Sequence, residues 1–386
     1  MSTIKPPPEE VYVGLEEYKS SCEGIGGTLK REPGDFIVRE ITEEDKVLEL
    51  DSDVSGDMLP GDYTHFTLVK ENWDTMRAVK EISKALGVSR KRLAFAGTKD
   101  RRAVTAQRIS AYKVPVEKLR GIRIKDLTLK DFGYSDESLG LGSLRGNRFT
   151  VKVRGVCSGA DERIGKIAGE ISSGFPNYYG RQRFGEARPI THEVGSFILK
   201  GDLESAVMTY LAKSFPGEDE GVRALREELW RSRDFQAALN SFPASMGYEK
   251  AILNHLIQYE EDYEGALKAL PKSLQRMFVH AYQSYLFNRA LSRCIRESYT
   301  VEKLPLVGFE VGADDISAGI MEADGIEQAD FEVDGMRDLK SRGEYRLCFE
   351  AAKGIEWRVD GDDAVFSFSL SKGSYATVVI REFTKN

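Results

Sequence analysis

Apolar and polar positions alternate along the first part of the chain. "DFIVREI" (35–41), "YTHFTLVKEN" (63–72) and "RFTVKVRGV" (148–156) repeat with the period of two expected of half-buried strands. In "WDTMRAVKEISKALG" (73–87) the period lengthens to that of a helix. Met76, Val79, Ile82 and Leu86 form its apolar stripe, Asp74 or Thr75 caps its start, and Gly87 ends it. A turn-rich "AGTKD" then leads into the strand-like "AVTAQRISAY" (103–112). From about Asn177 to Arg342 helical spacing dominates, as in "GDLESAVMTYLAKSF" (201–215) and "PKSLQRMFVHAYQSYLFNRALSRCI" (271–295). In the latter, Leu274, Phe278, Ala281 and Tyr285 share a face and Pro271 stands near the start. After Arg342 the pattern reads as four further strands: "YRLCFEA", "IEWRVDG", "AVFSFSLS" and "SYATVVIREF", with a Lys-Gly turn between the last two. A β-rich start, a helical middle and a β-rich end predict an α+β domain interrupted by an inserted helical one.

Composition narrows the class. A chain of 386 residues, 41% hydrophobic and 30% charged, has the make-up of a globular protein with two or three domains. "MSTIKPPPEE" has no apolar core for a secretory signal and reads as a disordered, Pro-rich lead-in. No apolar run approaches the ~20 residues of a membrane span. Cys22, Cys157, Cys294 and Cys348 lie far apart, with no CxxC pair. That argues against a zinc site or a disulfide framework and fits a reducing cytoplasm.

Net charge is −7, which alone speaks against a nucleic-acid partner, but the charge is segregated. Leu304 to Met336 holds nine Asp or Glu and no Lys or Arg. Lys84 to Arg108 holds eight Lys or Arg and one acid, Asp100. Phosphate binding follows local potential, so the basic strip is a candidate footprint despite the average. Nucleotide motifs are missing: "GLGSLRG" (140–146) and "GIGG" (24–27) read as turns, and no GxGxxG or GxxxxGK[ST] occurs. Dinucleotide enzymes, P-loop ATPases and Rossmann-type methyltransferases therefore recede. His65, His192, His255 and His280 belong to no nucleophilic triad, and the acids of 310–334 match no EF-hand spacing. In "PNYYGRQRFG" (176–185) aromatics are interleaved with Arg, a pattern that can stack on bases and contact phosphates but, taken alone, more often marks core packing. Cations around Asp100 stabilise its charged form, that of a base or nucleophile, and would draw a phosphodiester towards it. An ordinary surface ion pair gives the same local sequence.

Exact strings add more. "AGTKDRRAVTAQ" resembles the signature of the TruD family of tRNA pseudouridine synthases, whose catalytic aspartate falls at Asp100. "LKREPGDFIVREI" (29–41), "LRGNRFTVKVR" (144–154), "PNYYGRQRFG", "AYQSYLFNRAL" (281–291) and "GSYATVVIREF" (373–383) resemble further family blocks in the family's order. The resemblance implies a V-shaped, two-domain α+β protein. Its pseudouridine synthase core, on a largely antiparallel mixed sheet, would take 1–174 and 341–386. An inserted helix-rich TRUD domain would take 175–340. It also implies isomerisation of uridine in tRNA, expected at uridine 13, in the cytoplasm, with no cofactor and no metal; no obligatory protein partner is evident and a monomer is expected. Asp100 would be the nucleophile and Lys30 its basic partner. Phe36, Asn147, Phe149 and Tyr375 would line the base pocket, Tyr375 standing where some members have Phe. Lys99, Arg101, Arg102, Arg145 and Arg148 are candidates for the RNA backbone, and Phe36 or Phe149 for stacking on the extruded base. A catalytically inert RNA-binding or chaperone protein of the same fold is the alternative.

Overall fold

The computed structural model describes residues 4–52 and 61–386, and the chain divides into two compact units. One comprises 20–175 and 351–386, the other the residues up to Lys19 together with 176–350.

The first unit is built on a nine-stranded sheet. Its strands are β1 (Thr28–Leu29), β2 (Phe36–Ile41), β3 (Tyr63–Glu71), β4 (Leu93–Phe95), β5 (Val104–Tyr112), β6 (Leu127–Ser135), β7 (Gly146–Arg154), β8 (Lys353–Asp360) and β9 (Asp363–Ser371). The main order is β8-β9-β7-β2-β5-β3-β6, with β1 beside β7 and β4 beside β5. Every pairing is antiparallel except β2 with β5. Alternation assigns the faces as the sequence suggests. Phe36 and Val38 on β2, Phe66 and Leu68 on β3, Phe149 and Val151 on β7, and Phe366 and Phe368 on β9 are all buried.

Helices cover that face in two groups. The Thr75–Leu86 helix packs Val79 and Ile82 on Phe66, Leu68 and Ile109. Asp74 is its cap, accepting from Arg77 N at 2.9 Å, and Gly87 closes it at φ 67°. Met76, expected in the stripe, is 45% exposed: the buried face runs through Thr75, Ala78, Val79, Ile82 and Ser83, and Met76 lies off it. On the other half lie the Ala160–Glu170 helix, bonded from Trp357 Nε1 to Asp161 Oδ1 at 2.9 Å, and the Ala376–Thr384 helix, whose Phe383 meets Phe366 at 4.8 Å.

That last helix corrects the fourth C-terminal strand. Gly373, at φ 86°, turns the chain out of the ladder after Ser371. Ala376, Val379, Ile380 and Phe383 then recur at i, i+3, i+4 and i+7, so burial of one helical stripe overrides the β-branched composition of 377–380.

The second unit centres on the Lys272–Arg296 helix, buried on all sides from Phe278 to Ser292 except at His280, Tyr285 and Arg289. The Thr191–Leu199 helix crosses it closely. A Cβ on Gly195 would stand 2.0 Å from the Phe278 carbonyl oxygen, so only glycine allows that approach. From Ile4 onward the N-terminal segment belongs here too, which corrects its expected disorder there and its assignment to the β-rich part; residues 1–3 lie outside the described residues. Pro8–Val11 is a single helical turn, and Asn288 Nδ2 and Ser292 Oγ donate to the carbonyls of Val13 (3.0 Å) and Gly14 (2.9 Å). Ser341–Glu350 also stays with this unit, where Glu344–Leu347 pairs with Lys303–Leu306.

The acidic stretch proves to be structural. Asp314 caps the Asp315–Asp324 helix, Asp324 accepts from Tyr282 Oη at 3.1 Å, and Glu327 and Asp330 form a capping box. Among the described residues no cluster of His, Cys, Asp or Glu could hold a metal ion.

Candidate active site

Strands β2 and β5 are adjacent and parallel, with Ile37 opposite Val104, so the segments leading into them emerge at the same edge of the sheet. Lys30 lies on the first segment and Asp100 on the second. Seventy residues apart in sequence, they meet: Lys30 Nζ donates to Asp100 Oδ2 at 2.9 Å. The Lys30 side chain is 11% exposed and that of Asp100 37%, so the carboxylate keeps an open side. Lys30 adopts φ 54°, a left-handed conformation uncommon outside glycine. Its ammonium rests 4.2 Å from the centroid of the Phe36 ring. Phe36 contacts Phe149 edge-on at 6.0 Å, and Phe149 stacks on Phe368 at 5.7 Å.

Those rings are packed rather than offered. Phe36 is 1% and Phe149 6% exposed, so as folded neither presents a face to a base, contrary to the expected stacking. Their place in the sheet core makes them the floor under Lys30. Asn147 shares the Phe149 face of β7, opposite Glu40 on β2 and Leu370 on β9. Its Oδ1 is buried and has no hydrogen-bond partner among the described residues. Tyr375 is the half-buried residue that precedes the Ala376–Thr384 helix.

The basic candidates separate. Arg101 and Arg102 are exposed beside Asp100, and Arg102 Nη2 donates to the Arg31 carbonyl at 2.8 Å. Arg145 is exposed and ion-paired with Asp45 at 2.8 Å. Arg148, one residue from both Asn147 and Phe149, points to the opposite face of the sheet from them, alongside Arg39. Lys99 corrects the expectation of an RNA contact. It is 9% exposed and its Nζ donates to the buried Glu40 Oε2 at 2.6 Å, so it is committed to the core and unavailable to phosphate.

What the sequence reading missed is the frame under the Asp100 loop. Lys70, fully buried, sends its ammonium to the carbonyl oxygens of Trp73 (2.7 Å), Lys99 (3.4 Å) and Asp100 itself (2.7 Å). Lys99 N donates to Thr75 Oγ1 at 3.0 Å, and Thr75 Oγ1 to Gln107 Oε1 at 3.0 Å. Gln107 Nε2 returns to the Gly97 carbonyl at 3.1 Å. The other Glu40 oxygen accepts from Arg108 N at 3.1 Å. A signal was present: Lys70 and Glu40 occupy strand positions in phase with Phe66/Leu68 and Phe36/Val38, where an apolar residue belongs.

Burial pushes the Lys70 ammonium down to about 8, with Asp100 and Asp74 pulling the other way. Lys70→Met removes the donor to three carbonyls, at a cost of about 2–4 kcal/mol. Urea unfolding at neutral pH checks it. The folded pKa lies below that of the unfolded chain, so between about pH 8 and pH 10.5 the unfolded state holds more protons and this group makes stability rise with pH. The wild type should show that rise relative to the Met variant.

The mixed sheet and its lysine-paired loop carboxylate fit the class that the sequence resemblance implied, a pseudouridine synthase core. Comparison with known proteins makes this specific. The sequence profile described as "tRNA pseudouridine synthase D (TruD)" matches residues 12–308 and 301–383. A probable tRNA pseudouridine synthase D of Methanosarcina acetivorans is 34% identical, covering 100% of this chain and 98% of that protein. One from Archaeoglobus fulgidus is 37% identical, covering 97% and 99%. The crystal structure of the TruD protein from Methanosarcina mazei, 33% identical, superposes with a TM-score of 0.79 over 100% of this chain and 99% of the other. The chain belongs to the TruD family.

Proposed function

We propose that this protein converts uridine to pseudouridine in tRNA, at uridine 13, with Asp100 as nucleophile and Lys30 as its partner. The observation that carries the reading is the 2.9 Å contact between Lys30 Nζ and an Asp100 carboxylate open on its other side. Family membership supports the substrate and the reaction. The N1–C1′ bond breaks, the uracil turns, and a C5–C1′ bond forms. C5 loses its proton and N1 gains one, so atoms and electrons balance without an external oxidant or group donor.

Each residue has work consistent with its setting. Lys30 neutralises and orients one carboxylate oxygen while the other faces the ribose–base junction. The Lys70 and Thr75 bonds hold the Asp100 backbone, so the nucleophile need not be ordered during the reaction. Asn147, on the same face as Phe149, carries a buried Oδ1 with no hydrogen-bond partner among the described residues and holds a polar position beside the Phe floor. Arg101 and Arg102 supply phosphate contacts next to Asp100, which makes RNA binding salt-sensitive. Extruding the uridine costs a few kcal/mol of unstacking, which these contacts must offset.

The test is carbodiimide mapping of an unmodified tRNA transcript after incubation with the protein. The expected result is one new reverse-transcription stop reporting position 13. A stop elsewhere overturns the site assignment, and RNA binding without any stop overturns catalysis in favour of an inert binder.

A further inference from the structure

A polar pocket lies wholly within the helical unit. About 240 Å³ in volume, it is lined by Tyr179, Arg183, His280, Gln283, Ser284, Leu306 and the Ser341–Glu344 segment. Two of these residues come from the aromatic–arginine stretch 176–185, which the catalytic reading leaves unused. Several arginines of this unit are spent: Arg188, Arg226, Arg289, Arg293 and Arg296 each pair with a carboxylate. Arg183 does not. Half-buried, it donates from Nε to Ser284 Oγ at 3.1 Å, and among the described residues neither Nη amine has an acceptor and no carboxylate lies within ion-pair distance. The guanidinium also lies 5.8 Å from the Tyr179 ring centroid, and a fork held by one nitrogen and lining a polar pocket can take a bidentate anion.

The surroundings agree with that sign. Burial first, and then the charges of Arg183 and Arg276, hold His280 below its usual range. Glu344 lines the pocket as well, but at the Tyr179 hydroxyl Arg346 and Arg183 outweigh it. Arg342 stands at the rim, 77% exposed and loosely paired with Glu310 at 3.6 Å. Ser341 Oγ is already bonded to Gln283 Oε1, and Gln283 Nε2 to the Val307 carbonyl.

We propose that this pocket is a phosphate subsite for the RNA substrate, with Arg183 gripping a backbone phosphate and Arg342 closing the rim. The proposal rests on the RNA reading above but assigns a contact made by the helical unit itself.

The test measures binding of an unmodified tRNA transcript to the full chain across a salt series, for wild type, Arg183→Gln, Arg183→Lys and, as control, Arg293→Gln. Arg183→Gln is expected to weaken binding about tenfold and to make the salt slope shallower by about one. Arg183→Lys should keep the slope and recover part of the affinity, since it restores charge without the fork. A Gln variant that matches the wild type, or the Arg293→Gln control, in both affinity and slope overturns the subsite. So does a loss shared equally by Gln and Lys together with a fall in melting temperature, which marks a packing role. Pseudouridine formation is scored in the same samples. A wild type that binds but never isomerises defeats the catalytic reading alone, and an active wild type beside an unshifted Gln variant defeats the subsite alone.

Discussion

Asp100→Asn is expected to reduce the isomerisation rate by about 10⁴-fold or more, equivalent to about 5.5 kcal/mol of barrier. The substitution is nearly isosteric, and the loop is held through backbone carbonyls and an amide by Lys70 and Thr75, none of which it touches. The fold should therefore survive. The ion pair with Lys30 is lost, but the Asp100 side chain is 37% exposed, so solvent screening limits the stability cost to about 1 kcal/mol. RNA affinity should change little, because Arg101 and Arg102 remain. Tritium release from tRNA labelled at uridine C5 separates these effects: normal release from the Asn variant would exclude Asp100 as the nucleophile.

The second large effect is expected at Lys30. Lys30→Met keeps an unbranched side chain over the Phe36 ring, where a thioether packs well, and removes only the cation. A single-turnover rate at saturating tRNA should fall about 10²–10³-fold, in the range for removing one preorganised electrostatic contact. Stability should hold, since the methyl end sits on an apolar floor. Near-normal turnover would mean that Asp100 takes its orientation from elsewhere, and the Lys70 frame would be the remaining source.

Much of the fold was open to reading in the sequence. The alternation of β2, β3, β5 and β7 and the helix after Asp74 followed directly, because burying one face leaves a period in the residues. The C-terminal helix did not, since the β-branched run 377–380 masked the helical spacing of Ala376, Val379, Ile380 and Phe383. Lys99 misled for a different reason: neighbouring charges say how a segment is charged, not which side chain turns inward to meet Glu40. The meeting of Lys30 and Asp100 could not be deduced locally. It depends on a parallel pairing between strands far apart in the chain, and only resemblance to a family pointed to it. Lys70 and Glu40 were within reach, as charged residues in phase with a core face, and such intruders are where a sheet stops being scaffold and begins to hold a site.

The interruption of the sheet unit also sets a timetable. Strand β7 carries Asn147 and Phe149, and its neighbour β9 places Leu370 and Phe368 opposite them. The whole of Pro176–Glu350 is synthesised between the two. On the ribosome, the long edge of β7 that β9 will occupy is therefore complete well before β9 exists, and such an edge readily recruits other chains. The helical unit, rich in local contacts, can fold in that interval, whereas closure of the sheet must wait for the last strands. The floor under Lys30 is thus finished last, and the nascent chain depends on keeping one edge unoccupied until β9 arrives.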